Sequence, residues 1–263
     1  MAGSILKSCI TGLALALLLG PAAPVAHASE PLEVVRIDGE RLYDGAGRAY
    51  LLAGVRLVTA EEDARSAAAG EAFLNAALRD ASLIFDGTDF AEAGQGENRY
   101  GERLGLILRS DGMSLQEELI LRGLGVWSAM AGFPAAWRIR LLAAERLARL
   151  ERAGLWQTQR LLDANNPPKT YWRGQFVIAR GVVRDVARTP ARTYLNFGDD
   201  WKTDFTVAIS AKARRKFEAG EWKLSELRDK SIMIRGPVRF YNGPYMEVDF
   251  TEQMEIEGAV AHE

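Results

Sequence analysis

The amino-acid sequence predicts a mainly β protein of the α+β class, with two domains in succession, and three observations support this. In the first half, three segments carry apolar residues at helical spacing, between short runs typical of strands. After residue 174 the apolar period changes to two, which indicates β-structure. Between these regions lies Asn165-Asn166-Pro167-Pro168, which cannot continue a helix and predicts an interdomain linker.

The first half is expected to contain three strands, a helix, two strands and closing helices. Thr59 can cap the first helix, and the acidic residues that follow favour a helix start. Residues 87–101 are polar and glycine-rich, so we expect a surface loop there. The expected strands are 32–37, 41–43, 49–55, 82–85 and 103–109, and the expected helices are 59–79, 114–123 and 134–154.

The second half is expected to form a five-stranded barrel. Its strands are predicted at 175–186, 193–198, 204–209, 231–240 and 245–250. A helix is predicted between the third and fourth strands, from Ala211 to about Leu227. Asn242-Gly243 is a strong hairpin turn between the last two strands. Five strands with one helix in that place is the order of an OB barrel.

The first 28 residues have the layout of a secretory signal peptide. A weakly positive start precedes an apolar run from Ile10 to Leu19, and Ala26-His27-Ala28 is a small-x-small cleavage site. The run is too short to span a bilayer. We therefore expect cleavage after Ala28 and a periplasmic or secreted mature protein.

Composition excludes several classes of catalytic site. Cys9 is the only cysteine and, like His27, leaves with the expected signal peptide, so His262 is the only histidine of the mature chain. No disulfide, thiol nucleophile, zinc site of the usual type or Ser-His-Asp triad can then be built. Residues 29–168 have a net charge of −5 and residues 169–257 of +3, which is not the strong basicity of a protein that binds nucleic acid by charge alone.

Five motifs in order give residues 33–157 a resemblance to a known family. They are Ile37-Asp38-Gly39-Glu40, Leu51-Leu52-Ala53-Gly54-Val55, Asn98-Arg99-Tyr100-Gly101-Glu102, Ser114-Leu115-Gln116 with Leu121-Arg122-Gly123, and Ala144-Glu145 through Gly154-Leu155-Trp156. Together they resemble the staphylococcal nuclease (thermonuclease) family, itself an OB barrel with added helices. The second half is similar to an OB domain that follows the nuclease domain in some bacterial members. The resulting boundaries are signal peptide 1–28, nuclease-like domain 29–163, linker 164–170, OB domain 171–258 and tail 259–263.

The resemblance implies calcium-dependent hydrolysis of phosphodiesters, but most of the implied site positions carry other residues. The first metal-binding aspartate falls on Glu40, the first catalytic arginine on Leu51, and the second on Glu102, with Arg103 as a neighbouring substitute. Without a gap, the second metal aspartate falls on Arg56 and the general base on Thr59.

A two-residue gap gives a second register. It makes Glu61 the base but places Val58 at the metal aspartate and Ala53 at the arginine. Either register loses a metal carboxylate and an arginine, and each lost charge-stabilising group costs about 10²–10³ in rate. We therefore expect a degenerate site, a pseudoenzyme without catalytic residues or cofactor.

Two alternatives stay open. A weak calcium-dependent phosphodiesterase acting on DNA or RNA would use Glu40 as its metal ligand, Glu61 as its base, and Arg99 or Arg103. A structural or assembly protein of the cell envelope would act through a protein partner instead.

Binding is expected on the second barrel, because aromatic residues alternate there with arginines. Such a surface can stack bases or sugar rings and hold a charged backbone. Single-stranded nucleic acid, an envelope glycan and a periplasmic protein are the expected partners. The candidate ligand-binding residues, of which the tyrosines and the tryptophan are expected to be exposed, are Tyr194, Trp201, Arg235, Arg239, Tyr241 and Tyr245.

Overall fold

The computed structural model describes residues 29–77, 79, 82–159, 161–168, 174–200, 202–220 and 222–257. The expected signal peptide, Trp201 and the predicted tail lie outside these residues. Within the described part of the chain, no helix is both long enough and apolar enough to cross a membrane.

Among the described residues, the first half contains eight strands and four α-helices. The strands are β1 (Glu30–Pro31), β2 (Arg36–Asp38), β3 (Arg41–Tyr43), β4 (Ala49–Leu52), β5 (Val55–Leu57), β6 (Ile84–Asp86), β7 (Arg103–Leu108) and β8 (Gly125–Trp127). The helices are α1 (Ala60–Ala77), α2 (Thr88–Glu92), α3 (Leu115–Leu121) and α4 (Ala135–Leu150). A 3₁₀ turn over Gly154–Gln157 follows α4.

The described part of the second half contains eight strands and one α-helix. The strands are β9 (Leu162–Asp163), β10 (Phe176–Val182), β11 (Asp185–Arg188), β12 (Arg192–Asn196), β13 (Thr206–Ser210), β14 (Ser231–Phe240), β15 (Pro244–Val248) and β16 (Met254–Ile256). Helix α5 (Ala211–Ala219) follows β13, and a 3₁₀ turn over Leu224–Glu226 precedes β14.

Both halves follow the same strand path. The first sheet has the order β1-β6-β7-β4-β3-β2, and β1 and β2 come from one N-terminal segment, so the path returns to its start. The second has the order β11-β12-β13-β15-β14-β10-β9, and β10 and β11 are consecutive parts of one bent segment. In each half a parallel pair, β4 with β7 and β13 with β15, joins the third barrel strand to the fifth. These OB-like barrels confirm the predicted fold class.

Two glycines that end helices in the sequence prediction bring the closing helices of the first barrel together. Gly123 and Gly154 both have positive φ, at 65° and 47°, which suits glycine after a helix. The amide of Leu155 donates to the carbonyl of Gly123 over 2.9 Å. A Cβ on Gly123 would lie 2.1 Å from the carbonyl oxygen of Ala153, so this approach requires glycine.

The structure differs from the predicted elements at several places: it adds β1, β8, β9 and β16, and it divides the strand predicted over 175–186 into β10 and β11. The single strand predicted over 49–55 is divided into β4 and β5 by a turn at Gly54, whose φ is 78°. Helix α2 lies inside the predicted loop, where Phe90 is buried in the core. Helix α5 ends at Ala219 rather than near Leu227, because Gly220 caps it.

Residues 162–165, at the start of the predicted linker, pack against the second barrel. Leu162 pairs with Ala179 of β10 in parallel, and Ala164 is buried in the second core. The side chain of Asn165 donates to the carbonyls of Val182 and Phe197 over 2.7 and 2.6 Å. Its Oδ1 accepts from the amide of Val182 over 2.7 Å, so Asn165 closes the ladder where β10 ends.

Candidate functional site

The segment that leads into α1 is held by an ion pair that sequence reasoning missed. The guanidinium of Arg56 donates to both carboxylate oxygens of Glu62, over 2.7 and 2.9 Å. Glu62 also accepts from the amide and hydroxyl of Thr59, over 3.0 and 3.1 Å. The Glu62 carboxylate thus caps the amide of Thr59, as the glutamate of a capping box does, and the sequence signal for it was the Thr-x-x-Glu spacing.

This pairing decides the charge state of Glu62. Burial alone would raise the pKa of its carboxyl, but hydrogen bonds from Arg56 and Thr59 hold that pKa below its ordinary value. The Glu62 carboxylate is therefore ionised at neutral pH, and both of its oxygens accept hydrogen bonds from Arg56, with Thr59 as a further donor. Glu61, the residue expected as a base in the gapped register, is an exposed acid in the first turn of α1.

Glu40, the predicted metal ligand, has a structural contact. Its Oε1 accepts from the amide of Leu57 over 3.0 Å, which ties the turn before β3 to β5. Leu51 is partly buried against the first core. It lies opposite Arg41 on β3 and beside Leu104 on β7.

Glu102 organises the turn of Asn98-Arg99-Tyr100-Gly101-Glu102. Its carboxylate accepts from the side-chain amide of Asn98 over 2.7 Å and from Arg41 Nε. Asn98 Oδ1 in turn accepts from the amides of Tyr100 and Glu102 over 2.9 and 3.1 Å. Hydrogen bonds from Arg41 and Asn98 lower the pKa of the Glu102 carboxyl.

The structure places the two substitute arginines in different settings. Arg103 is buried, pairs with Glu30, donates to the hydroxyl of Tyr50 over 3.3 Å and stacks 4.5 Å over Phe85. Burial raises the pKa of Tyr50 to about 12 within this cluster. Arg103 therefore holds the barrel together and does not face a ligand. Arg99 is exposed and stacks 4.7 Å over its neighbour Tyr100.

These residues do not fit a calcium ion. Calcium takes six to eight oxygen ligands, chiefly from carboxylates and carbonyls. Among the described residues, no three His, Cys, Asp or Glu side chains come together as metal ligands. Glu62 and Glu102 are each paired with an arginine, and the Glu40 carboxylate is bonded to a backbone amide.

A groove on the second barrel brings four of the predicted ligand-binding residues together. It encloses about 950 Å³ and is lined by Gly174, Arg192, Tyr194, Arg239, Phe240, Tyr241, Tyr245 and Glu247. Arg192 and Tyr194 lie on β12, and the others from Arg239 onward lie on β14, β15 and their connecting turn. Phe240 and Tyr241 are exposed, Tyr241 by 71%. Tyr241 meets Tyr245 edge to face, with ring centroids 6.1 Å apart.

Charged groups cross the floor of the groove. Arg192 donates to the hydroxyl of Tyr245 over 2.5 Å. Glu247 lies between two arginines, 3.3 Å from Arg192 and 3.4 Å from Arg239. The pKa of Arg192 is raised, chiefly by the Tyr245 hydroxyl and to a smaller extent by Glu247, so its guanidinium stays protonated. Sequence reasoning missed Glu247, although the period of two places it on the same face of β15 as Tyr245.

Three of the sequence predictions about this surface are wrong, and one of them concerns Tyr194, which was expected to be exposed but is half-buried. Arg235 is only 1% exposed and does not line the groove, because it points out of β14 into the first domain and pairs with Glu145 and Glu255. Tyr245 was expected to be exposed, but it is 8% exposed, since its ring packs edge to face with Tyr241 and its hydroxyl accepts from Arg192. Trp201 lies outside the described residues.

A comparison with protein families gives a match in the first half of the chain. Residues 52–158 match the family described as staphylococcal nuclease homologue. The match begins at the end of β4, includes Arg56, Thr59 and Glu102, and ends after the 3₁₀ turn that follows α4. No curated protein matches the chain.

Proposed function

From the staphylococcal nuclease-like domain at residues 52–158, we propose that this protein binds single-stranded nucleic acid without cutting it. The observation that carries the proposal is the groove of the second barrel, where exposed aromatic rings stand beside arginines. We further propose that residues 1–28 direct export, so that binding takes place in the periplasm or outside the cell.

The absence of cutting is inferred from how the site positions are occupied. A nuclease needs a cation and arginines facing the scissile phosphate. Here Leu51 is apolar, Glu102 is an acid, and Arg56 is neutralised by Glu62. Removing one such group costs about 10²–10³ in rate, and these positions lack several.

The groove favours a single-stranded ligand. Bases stack on aromatic side chains only when they are not already paired in a duplex, and each stacked base contributes about 1–3 kcal/mol. Phe240 and Tyr241 offer open ring faces, and Arg239, with a side chain 70% exposed, can reach a phosphate. A neutral glycan would use the same rings but would gain no charge attraction from the arginines.

The charge of the groove determines how tightly we expect it to bind single-stranded nucleic acid. Glu247 neutralises part of the charge of Arg192 and Arg239, so we expect moderate, salt-sensitive affinity. Residues 169–257 carry a net charge of +3, whereas residues 29–168 carry −5, so the second half attracts a polyanion better than the first.

The test uses residues 29–263 with labelled single-stranded DNA and RNA, their duplexes and a neutral oligosaccharide. Fluorescence anisotropy reports binding, and gel electrophoresis with and without millimolar calcium reports cleavage beside an active thermonuclease. We expect binding of the single strands above the duplexes and no cleavage. Turnover near that of the control enzyme would contradict the proposal, as would binding only of the oligosaccharide.

Export is tested separately. The full chain and a version lacking residues 1–28 are expressed in a Gram-negative host and fractionated. We expect the full chain, shortened to begin at Ser29, in the periplasmic fraction, and the truncated version in the cytoplasm. Retention of an uncleaved full chain in the cytoplasm would contradict this part of the proposal.

A further inference from the structure

We propose that the two barrels fold and unfold as one cooperative unit, joined by a buried ionic junction centred on Arg235. This inference does not depend on what the groove binds. It rests on three features: the outward face of two strands in the second barrel, the apolar surface opposite it, and the charged groups enclosed between them.

Strands β10 and β14 are apolar on both faces. Ile232 and Ile234 point into the second core, whereas Met233, between them, belongs to a separate buried cluster. On β10, Val177 and Ala179 point inward and Ile178 joins Met233. Alternate residues of a strand face opposite sides, so these outward residues would face water in an isolated barrel.

The first barrel covers that outward face. The buried cluster contains Val58 and Val126 from the region of β5 and β8, Ala148 from α4, and Leu155 and Trp156 from the following turn. Phe176 of β10 also packs against this cluster, and the guanidinium of Arg56 lies 4.6 Å over its ring. The junction thus uses the same segment of the first barrel that bears the Arg56–Glu62 pair.

Charged groups lie inside the junction. Arg235 of β14 donates to Glu145 of α4 over 2.9 Å and to the backbone carbonyl of Trp127 over 3.1 Å. Glu145 is fully buried, accepts from the amide of Trp127 over 3.0 Å and pairs with Arg149 over 2.5 Å. Arg235 also binds Glu255 of β16, so its charge is shared between carboxylates from both halves.

Such a junction couples the two barrels. Unfolding either barrel alone would expose the apolar cluster on the barrel that stays folded and would break the pair between Arg235 and Glu145. Each Å² of apolar surface left in water costs about 25 cal/mol. The state in which one barrel is folded and the other unfolded therefore has a low population.

Hydrogen exchange of the whole mature chain tests the coupling. The slowest amides of β7 and of β13 are followed in low urea in the wild type, in Val248→Ala and in Leu52→Ala. Val248 is fully buried in the second core and Leu52 is buried in the first, and both lie outside the junction cluster. We expect each variant to speed exchange in both strands by the same factor. Faster exchange only in the barrel that carries the substitution would overturn the proposal.

Arg235→Ala tests the junction itself. Because a buried ion pair is broken, we expect exchange in β7 and β13 to rise together by roughly 100-fold or more. A rise confined to β13 would overturn the proposal. If this variant does not fold, the wild type is sufficient. If unfolding is cooperative, the opening free energies of the slowest amides in both barrels fall along one common line as urea is raised. Two separate lines, one for each barrel, would overturn the inference.

Discussion

The guanidinium of Arg41 binds the carboxylate of Glu102, and Arg41 lies directly across from Leu51 on the neighbouring strand. Leu51 and Glu102 are the two positions at which the resemblance to nucleases implies catalytic arginines. One arginine therefore stands beside both positions, and an acid of the same chain neutralises it. This intramolecular pair occupies the guanidinium of Arg41.

Glu102 should make stability depend on pH. Its ordinary carboxyl pKa of 4.5 is lowered in the folded protein by Arg41 and Asn98. The contribution is present above the pKa of the unfolded chain and is lost as pH falls through the lower folded pKa. We expect Glu102→Gln to lower the urea midpoint at pH 7 and to differ less from the wild type at pH 3. Glu61→Gln, at an exposed acid, is the control, and parallel pH curves for wild type and Glu102→Gln would contradict the prediction.

Restoring the arginines should not restore cleavage. In the double variant Leu51→Arg, Glu102→Arg, both implied arginines are present, but Arg56 remains at the implied metal position, paired with Glu62. The guanidinium introduced by Glu102→Arg would also face Arg41, which would have lost its acid. We expect oligonucleotide cleavage in calcium to stay at the background of the wild type, measured by gel assay over hours. A gain of about 10²-fold or more, the effect of one restored charge-stabilising group, would show that a usable metal site exists.

Sequence reasoning predicted the barrels because their elements are encoded locally. The period of two in residues 231–240 and the cap at Ser114 each specify an element without help from distant residues. It failed at Arg235 because burial of that side chain depends on Glu145, which is 90 residues away in the chain. Strand periodicity shows that Arg235 points outward, but it does not show whether solvent or another domain lies there.

The candidate site shows the same division. Tyr194, Tyr241 and Arg239 could be selected because aromatic and basic residues alternate along strands that the sequence also predicts. Glu61 and Glu62 are adjacent acids, and the sequence had to indicate which of them binds Thr59. Only the Thr-x-x-Glu spacing distinguishes Glu62 from Glu61. Glu247 was missed because a single acid in a strand has no local signal for a groove.

Tyr241 should contribute to binding by stacking. We expect Tyr241→Ala to weaken binding of single-stranded oligonucleotides by about 5- to 150-fold, the effect of about 1–3 kcal/mol per stacked base. Tyr100→Ala is a matched control, because Tyr100 is 68% exposed on the first barrel and Tyr241 is 71% exposed. Anisotropy titrations measure both variants. Equal losses in the two, or no loss in Tyr241→Ala, would remove Tyr241 from the proposed site.

Arg239 should act through a phosphate. The logarithm of the affinity falls linearly with the logarithm of the salt concentration. Loss of one phosphate contact with a single strand makes this negative slope shallower by about 0.7. We expect that change in Arg239→Ala, with weaker binding at low salt and a smaller difference at high salt. Arg36→Ala is the control, since Arg36 is also an exposed arginine but lies on the first barrel. An unchanged slope in Arg239→Ala would mean that Arg239 contacts no phosphate.

The ion pair at the junction should show strong coupling between Glu145 and Arg235. Removing one partner leaves a buried charge, so we expect Glu145→Leu and Arg235→Met each to lower the free energy of unfolding by about 3–5 kcal/mol. In the double variant the two side chains are apolar and of similar volume, so the loss should be smaller than the sum of the single losses by about 1–3 kcal/mol. Urea denaturation followed by circular dichroism measures the cycle.

The control is the cycle of Arg180→Met with Glu257→Leu. That pair lies within the second half, and Arg180 is exposed. An exposed pair couples by less than about 1 kcal/mol. Additive losses at Glu145 and Arg235 would show that the two side chains are not energetically coupled across the junction.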